Sequence, residues 1–271
     1  MAMDNQPIKT RADVVDKTHP AVGFLVGAAL RSLTVSKHDD GPRSREDWII
    51  RLTEAVLSSA GAEYRSVLSA MVANGFSQNT VLHDFVPEAS RLLGEKWLRD
   101  EVCFVDVTTG VSRLLGLFRA RGAFHEGASS PFVNPSHDQS ILMVVPRYEQ
   151  HSLAGVVAAD RLRRHGFLVR MAIDLSPERI VELISANRFS FVGVSLASWK
   201  SVERTGDFID YIRSKVEGTP KVVAGGPVVA DRAHIEMLTG ADFAVRSVGE
   251  AIRLFRQATR VSRRCLFEER L

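Results

Sequence analysis

Five short apolar runs, spaced so that each gap has room for a helix, constrain the second half of this chain more than any other feature. They fall at residues 141–145, 167–171, 191–195, 221–224 and 243–245. Continuous Val, Ile and Leu without polar alternation marks strands covered on both faces. The gaps carry helical patterns at 153–165, 177–187, 201–215 and 232–238. Ser176-Pro177-Glu178 opens the second of these, a capping hydroxyl followed by Pro at the first helical position. Strands alternating with helices join through right-handed crossovers into a parallel, doubly wound sheet, and ligands in such sheets sit beyond the carboxyl ends of the strands. An α/β fold is expected, with a five-stranded Rossmann-like (flavodoxin-like) domain over 140–271.

The first half carries a helical period instead. Ser44 and Asp47 form a capping box with Asp in place of Glu, and Trp48, Ile49, Leu52 and Val56 recur at helical spacing. Tyr64, Val67, Leu68 and Met71 outline a second helix between Gly61 and Asn74. Ser77 caps a third through Val81, Leu82, Phe85, Leu92, Leu93 and Trp97, with a kink expected at Pro87. A fourth runs from about Val102 through Leu114, Leu115 and Phe118. Short connections between these elements predict a four-helix bundle over 44–122. Residues 1–43 are polar and mixed and are expected to form a flexible arm, with one short apolar helix near 22–26. Residues 123–139, rich in Gly, Ser, Pro, Asn and His, are expected to link the two domains.

Composition narrows the classes of function. Cys103 and Cys265 are the only cysteines and stand far apart, which excludes a disulfide framework and a cysteine-based zinc site. The opening residues lack the apolar core of a secretory signal, and no run of about 18 apolar residues occurs, so a cytoplasmic protein without membrane contact is expected. Lys plus Arg (35) nearly balance Asp plus Glu (32), too even a ratio to announce nucleic acid. Basic charge concentrates only at 251–271, where six arginines oppose Glu268 and Glu269: a solvated helix face, or a contact for an acidic partner or DNA.

The strand ends carry the chemistry. The loop after the first strand reads Arg147-Tyr148-Glu149-Gln150-His151-Ser152-Leu153-Ala154-Gly155, without the G-x-G-x-x-G of a dinucleotide site. An imidazole stands where the ligand belongs, with a carboxylate two residues earlier on the same side of an extended loop. Glu149 is thus placed to hydrogen-bond the ring nitrogen not used for a metal. The third strand ends in Gly193-Val194-Ser195-Leu196-Ala197-Ser198, whose hydroxyls suit a cleft wall and a Glu-His-Ser relay. The fourth ends in Ala224-Gly225-Gly226-Pro227, where missing side chains let a ligand tail lie against backbone.

Together these segments resemble the cobalamin-binding domain, whose signature is D-x-H-x-x-G, S-x-L and G-G on three successive strand ends. Glu149 stands in place of Asp, Ala154 in place of Gly with Gly155 adjacent, and Ala197 in place of Leu. The resemblance covers about 140–254 and implies His151 as lower ligand to cobalt, replacing the cofactor's own base, which enters a slot beside the first strand. Around Glu149 and His151 the implied cofactor contacts are Gln150, Ser152, Leu153, Gly155, Ser195, Ala197, Ser198, Gly225, Gly226 and Pro227. In the first half, Pro87, Gly94 and Trp97 are similar to the cap of methionine synthase, corrinoid methyl carriers and light-sensing repressors. That likeness implies Trp97 over the upper face of the ring, with Val107 and Thr108 beside it where many capped members carry Glu-His.

Asp106-Val107-Thr108 to Arg113-Leu114, taken with the E-x-H-S-L loop, resembles the AerR/PpaA-type regulators of photosynthetic bacteria. The resemblance implies a non-enzymatic, light-responsive antirepressor that binds adenosyl- or hydroxocobalamin. Haem is the alternative cofactor, with His151, His125, His137 or His165 as iron ligand. The implied partner is a redox-responsive repressor of photosynthesis genes of the PpsR/CrtJ type, with DNA reached through that complex. A corrinoid methyl carrier is the rival reading; the missing Glu-His pair and the arginine-rich tail weigh against it.

Overall fold

A computed structural model of the chain describes residue 42, residues 44–120 and residues 140–268, with side chains as far as residue 258. The expected arm up to Gly41 and the expected linker lie outside the described residues. So do His125, His137 and the side chains of Arg260, Arg263, Arg264, Cys265 and Arg270.

The first domain contains α1 (Arg45–Leu57), α2 (Glu63–Ala73), a short α3 (Gln78–Thr80) that passes through a π turn (Val81–Phe85) into α4 (Val86–Leu98), and α5 (Phe104–Ala120). The capping box at α1 forms: Asp47 N–H donates to Ser44 Oγ (3.1 Å) and Ser44 N–H to Asp47 Oδ2 (2.9 Å). The apolar stripes meet in a core of Trp48, Leu52, Val56, Met71, Phe85, Leu93, Leu114 and Phe118. Arg113 closes the carboxyl end of α1, donating from Nη1 to the carbonyls of Val56 (2.7 Å) and Ser58 (2.6 Å).

The kink expected at Pro87 is a π turn. Proline has no N–H to give, and its ring crowds the carbonyl four residues earlier, that of His83. One extra residue per turn relieves the clash, and Val86 N–H reaches back to the carbonyl of Val81. The His83 carbonyl, released from the helix, accepts a hydrogen bond from Arg161 Nη2 (3.0 Å) in the second domain.

That domain comprises β1 (Ser140–Val145), α6 (Ser152–Arg164), β2 (Leu168–Ile173), α7 (Pro177–Ala186), β3 (Phe191–Ser195), α8 (Trp199–Lys215), β4 (Lys221–Gly225), α9 (Arg232–Thr239), β5 (Phe243–Val245) and α10 (Val248–Glu268). All strands are parallel, in the order β2-β1-β3-β4-β5, with Met143 of β1 opposite Met171 of β2 and Gly193 of β3. Alternate side chains feed two cores. Leu142, Val144, Val192 and Val194 pack under α7, α8 and α9, whereas Ile141, Met143, Phe191 and Val223 meet Leu162 of α6 and Phe255 of α10. Chain direction across the sheet reverses between β1 and β3, the switch point that opens a crevice at the strand ends.

Helix α6 joins the two domains. Its Leu153, Val156 and Val157 belong to the bundle core, while Leu162 faces the sheet. Polar contacts reinforce the seam: His83 Nε2 lies 2.7 Å from Asp160 Oδ2 with both side chains nearly buried, and Arg161 Nη2 lies 2.6 Å from Asp84 Oδ1. Among the described residues no helix is long and apolar enough to cross a membrane.

The backbone approach after β4 is the tightest in the domain. A Cβ on Gly226 would lie 1.8 Å from the carbonyl oxygen of Leu196. Gly226→Ala is expected to lower unfolding free energy by about 3 kcal/mol, the upper range for overpacking. Gly116→Ala in α5, where an added methyl meets nothing within 4 Å, is expected to raise it by about 0.5–1 kcal/mol. Urea denaturation of both variants checks the pair.

Candidate functional site

At the carboxyl ends of β1, β3, β4 and β5, beneath α4 of the bundle, lies a cleft of ≈ 650 Å³. Its floor descends as an apolar slot along Met143, Gly193 and Val223 to Phe255, between α6 and α10. Glycine opens this slot: a Cβ on Gly193 would stand 3.1 Å from Met143 Cε, and one on Gly225 3.1 Å from Val245 Cγ2.

His151 stands at the mouth, on the residue that caps α6. Its side chain is 68% exposed, while that of Glu149 is 1% exposed. Glu149 spends both carboxylate oxygens on the loop. Oε1 accepts from His151 Nδ1 (2.7 Å) and from His151 N–H (2.7 Å); Oε2 accepts from Ala197 N–H (2.8 Å) and Ser201 Oγ (2.6 Å). The carboxylate therefore sits at the amino ends of both α6 and α8, where helix dipoles favour negative charge. Burial alone would push its pKa up, but the hydrogen bonds from His151, Ser201 and Ala197 outweigh burial and hold it down to about 2. His151 moves the other way: its bond to Glu149 raises its pKa, against partial burial. With Nδ1 donating to the carboxylate, the Nε2 lone pair is the one presented to the cleft.

The expected relay therefore ends on a different hydroxyl. Ser195 is buried beside Gly155, and Ser198 caps α8 by accepting from Ser201 N–H (3.2 Å). Ser201, in the first turn of α8, is the hydroxyl that reaches Glu149. The Ser-x-x-Ser spacing of a cap was the available signal. Tyr148 anchors the same loop from beneath; it shares a hydrogen bond with Thr205 (2.9 Å), and burial pushes its pKa up to about 12.

Eight of the expected contacts line the cleft. His151, Leu153 and Gly155 do so from the first loop, Ser195 and Ala197 from the third strand end, and Gly225, Gly226 and Pro227 from the fourth. Gly155 makes the close approach: a Cβ there would lie 2.6 Å from Val145 Cγ2, whereas Ala154 is exposed toward the cleft. Glu149 acts from behind the wall through His151, Ser198 caps α8, Ser152 is half-buried outside the wall, and Gln150 is exposed.

The bundle's share of the cleft wall comes from α4. Pro87, Ser90, Arg91 and Gly94 of α4 line the cleft; Trp97, Val107 and Thr108 do not. Trp97 continues the same helical stripe one turn further, about 4.5 Å along the axis, so it passes the rim and is 46% exposed, edge-on to Phe104. Val107 packs on the bundle core, and Thr108 Oγ1 is taken by the carbonyl of Phe104 (2.8 Å). His165, weighed as an iron ligand, caps the far end of α6 and is not part of the cleft wall. Arg246 and Ser247 beyond β5 enter the wall unforeseen.

These groups fit a planar metal macrocycle with a tail. Among the described residues no set of three or more His, Cys, Asp or Glu is placed to hold a bare ion, so His151 offers a single axial nitrogen, and the glycine-floored slot offers room for an apolar base. Residues 139–254 match the B12 binding domain family. This stretch is therefore similar to B12-binding domains. The chain is also 29% identical over 171 residues to an uncharacterized 20.5 kDa protein of Rhodobacter capsulatus from the bchF-crtJ intergenic region, spanning 63% of this chain and 88% of that one. Two solved structures are also similar. One is a novel cobalamin-binding protein from Desulfitobacterium hafniense DCB-2, at 15% identity and a TM-score of 0.39, covering 77% of this chain and 97% of that one. The other is the methanol:cobalamin methyltransferase complex MtaBC from Methanosarcina barkeri, at 11% identity and a TM-score of 0.39, covering 91% of this chain and 94% of that one.

The α/β domain thus has its imidazole held by a carboxylate with a depressed pKa. Glu149 stabilises the fold above its unfolded pKa and loses that contribution as pH falls through about 2. His151, with its pKa raised, contributes below its unfolded pKa and loses the contribution as pH rises through the folded one. In a histidine NMR titration, Glu149→Gln is expected to lower the His151 pKa from its wild-type value; an unchanged value would contradict the pairing. Ser201→Ala is expected to cost about 1.5–3 kcal/mol of unfolding free energy, as for a hydrogen bond to a charged group.

Proposed function

We propose that this protein is a non-enzymatic cobalamin sensor that relieves a redox-responsive repressor of photosynthesis genes of the PpsR/CrtJ type. His151 Nε2 is the protein's ligand to cobalt, and adenosyl- or hydroxocobalamin is the form bound. The observation that carries this reading is the Glu149–His151 pair, which presents one oriented imidazole nitrogen to a cleft walled by both domains.

Bound cobalamin supplies a carbon–cobalt bond that light can cleave, or a cobalt centre whose oxidation state follows redox poise. The chain's own residues do the rest. Glu149 keeps the His151 ring in the tautomer whose Nε2 is free. Gly193 and Gly225 leave space for the displaced base, and α4 covers the opposite side through Pro87, Ser90, Arg91 and Gly94. A ligand touching both walls favours one arrangement of the bundle on the α/β domain, and only such differential contact can shift an equilibrium. The seam that would move is the π turn, where His83 and Asp84 meet Asp160 and Arg161. The location of the Rhodobacter capsulatus relative, between bchF and crtJ, supports a regulatory role, and a repressor that reads the moved seam is the partner that role requires.

Protein incubated with hydroxocobalamin and freed of unbound ligand is expected to retain the corrin spectrum, shifted from that of free cofactor. His151→Ala is expected to lose the shift and at least tenfold in affinity. Identical spectra for wild type and variant, or a Soret band on incubation with haem in preference to the corrin bands, would contradict the reading. Illumination of the adenosylcobalamin form is expected to change both the spectrum and the capture of the repressor; capture equal in dark and light would contradict light control.

A further inference from the structure

A second cavity lies against the outer side of the interdomain seam. Its ≈ 200 Å³ is lined by His83 of the π turn, Arg161, Arg164 and His165 at the end of α6, and Val248 and Gly249 at the start of α10. No carboxylate is among its described lining residues. Two of the four basic groups are engaged, His83 with Asp160 and Arg161 with Asp84. Arg164 and His165 make no side-chain hydrogen bond or ion pair with any described residue, and both are accessible. Val248 and Gly249, in the first turn of α10, line the same space, with no side chain at Gly249, while the N–H of Glu250 is given to Ser247 Oγ (3.3 Å). Glu250, the acidic residue of that turn, is drawn away to the N–H of Arg246 (3.0 Å).

We propose that this cavity binds a small oxyanion of the phosphate class, held by Arg164, His165 and the amino end of α10. Guanidinium, imidazole and helix amides are the donors that tetrahedral oxyanions select. The volume is below that of sites for drug-sized ligands, roughly 300–1,000 Å³, so a phosphoryl group fits and a whole nucleotide does not. Partial burial, then the charges of Arg256, Arg164, Arg161 and His83, hold the His165 pKa below its ordinary value, as a pocket of excess positive charge does. Inorganic phosphate and the phosphoryl end of a small metabolite share this chemistry. Because His83, Arg161 and Val248 line both this cavity and the cofactor cleft, an anion here bears on the same seam. The anion site does not depend on a bound cofactor.

The test titrates cofactor-free full-length protein with inorganic phosphate, with glycerol 3-phosphate and with sodium chloride at matched ionic strength, following the His165 ring by NMR. Saturable shifts with a phosphate and a rise in the His165 pKa are expected, with chloride giving neither. Arg164→Gln is expected to weaken the binding at least tenfold while leaving the cobalamin spectrum unchanged, and His151→Ala is expected to bind phosphate as wild type does. Tighter binding of glycerol 3-phosphate than of inorganic phosphate would assign the metabolite source; the reverse order would assign the free ion. Shifts that match the chloride control, or binding that Arg164→Gln leaves intact, would overturn the proposal.

Discussion

One buried carboxylate organises the site. Glu149 is closed off from water, yet stays ionised because four donors converge on its two oxygens. Those four donors meet three structural needs. The His151 ring requires an orientation, the start of α6 requires an acceptor for an unused N–H, and the Ala197 amide and Ser201 hydroxyl tie the third strand end to the first. A buried charge without such partners would neutralise itself; with them it becomes the fixed point from which an exposed imidazole is aimed. Replacing the aspartate of the family signature by glutamate is consistent with this arrangement, since the longer arm spans from its loop to α8.

The second constraint is covalent. Pro87 cannot continue an α-helix without crowding the carbonyl of His83, and the π turn that results exposes that carbonyl to Arg161. The side chains of His83 and Asp84, presented by the same turn, pair with Asp160 and Arg161. A local defect in one helix thus supplies the polar half of the joint between the bundle and the α/β domain, and α6 supplies the apolar half through Leu153, Val156 and Val157. The cleft and the smaller basic cavity both border this joint, sharing His83 and Arg161.

The α/β domain was legible because its signals are short-range and redundant. Uninterrupted Val and Ile runs specify buried parallel strands, and caps such as Ser176-Pro177 mark helix starts to within a residue. The third and fifth strands fall where the apolar runs place them. At the site, the loop residues His151, Ser195, Gly225 and Gly226 were legible because a strand end dictates position regardless of packing. The bundle wall was legible only in part, through Pro87 and Gly94. Which face of α4 turns to the cleft depends on how the π turn sets helical phase, and how far Trp97 extends past the rim depends on where the whole bundle docks. Ser201 was missed for a related reason, since a hydroxyl in the first turn of a helix meets Glu149 only after β3, α8 and the β1 loop have packed together.

The decisive quantity is the identity of the nitrogen on cobalt. Protein grown with ¹⁵N-labelled histidine, loaded with cobalamin and reduced to the cobalt(II) state, reports it through the nitrogen splitting of its electron paramagnetic resonance lines. Coordination by His151 Nε2 predicts doublets that return to triplets with unlabelled protein. Triplets that persist in the labelled protein would place the cofactor's own base on the metal and contradict the role given to His151.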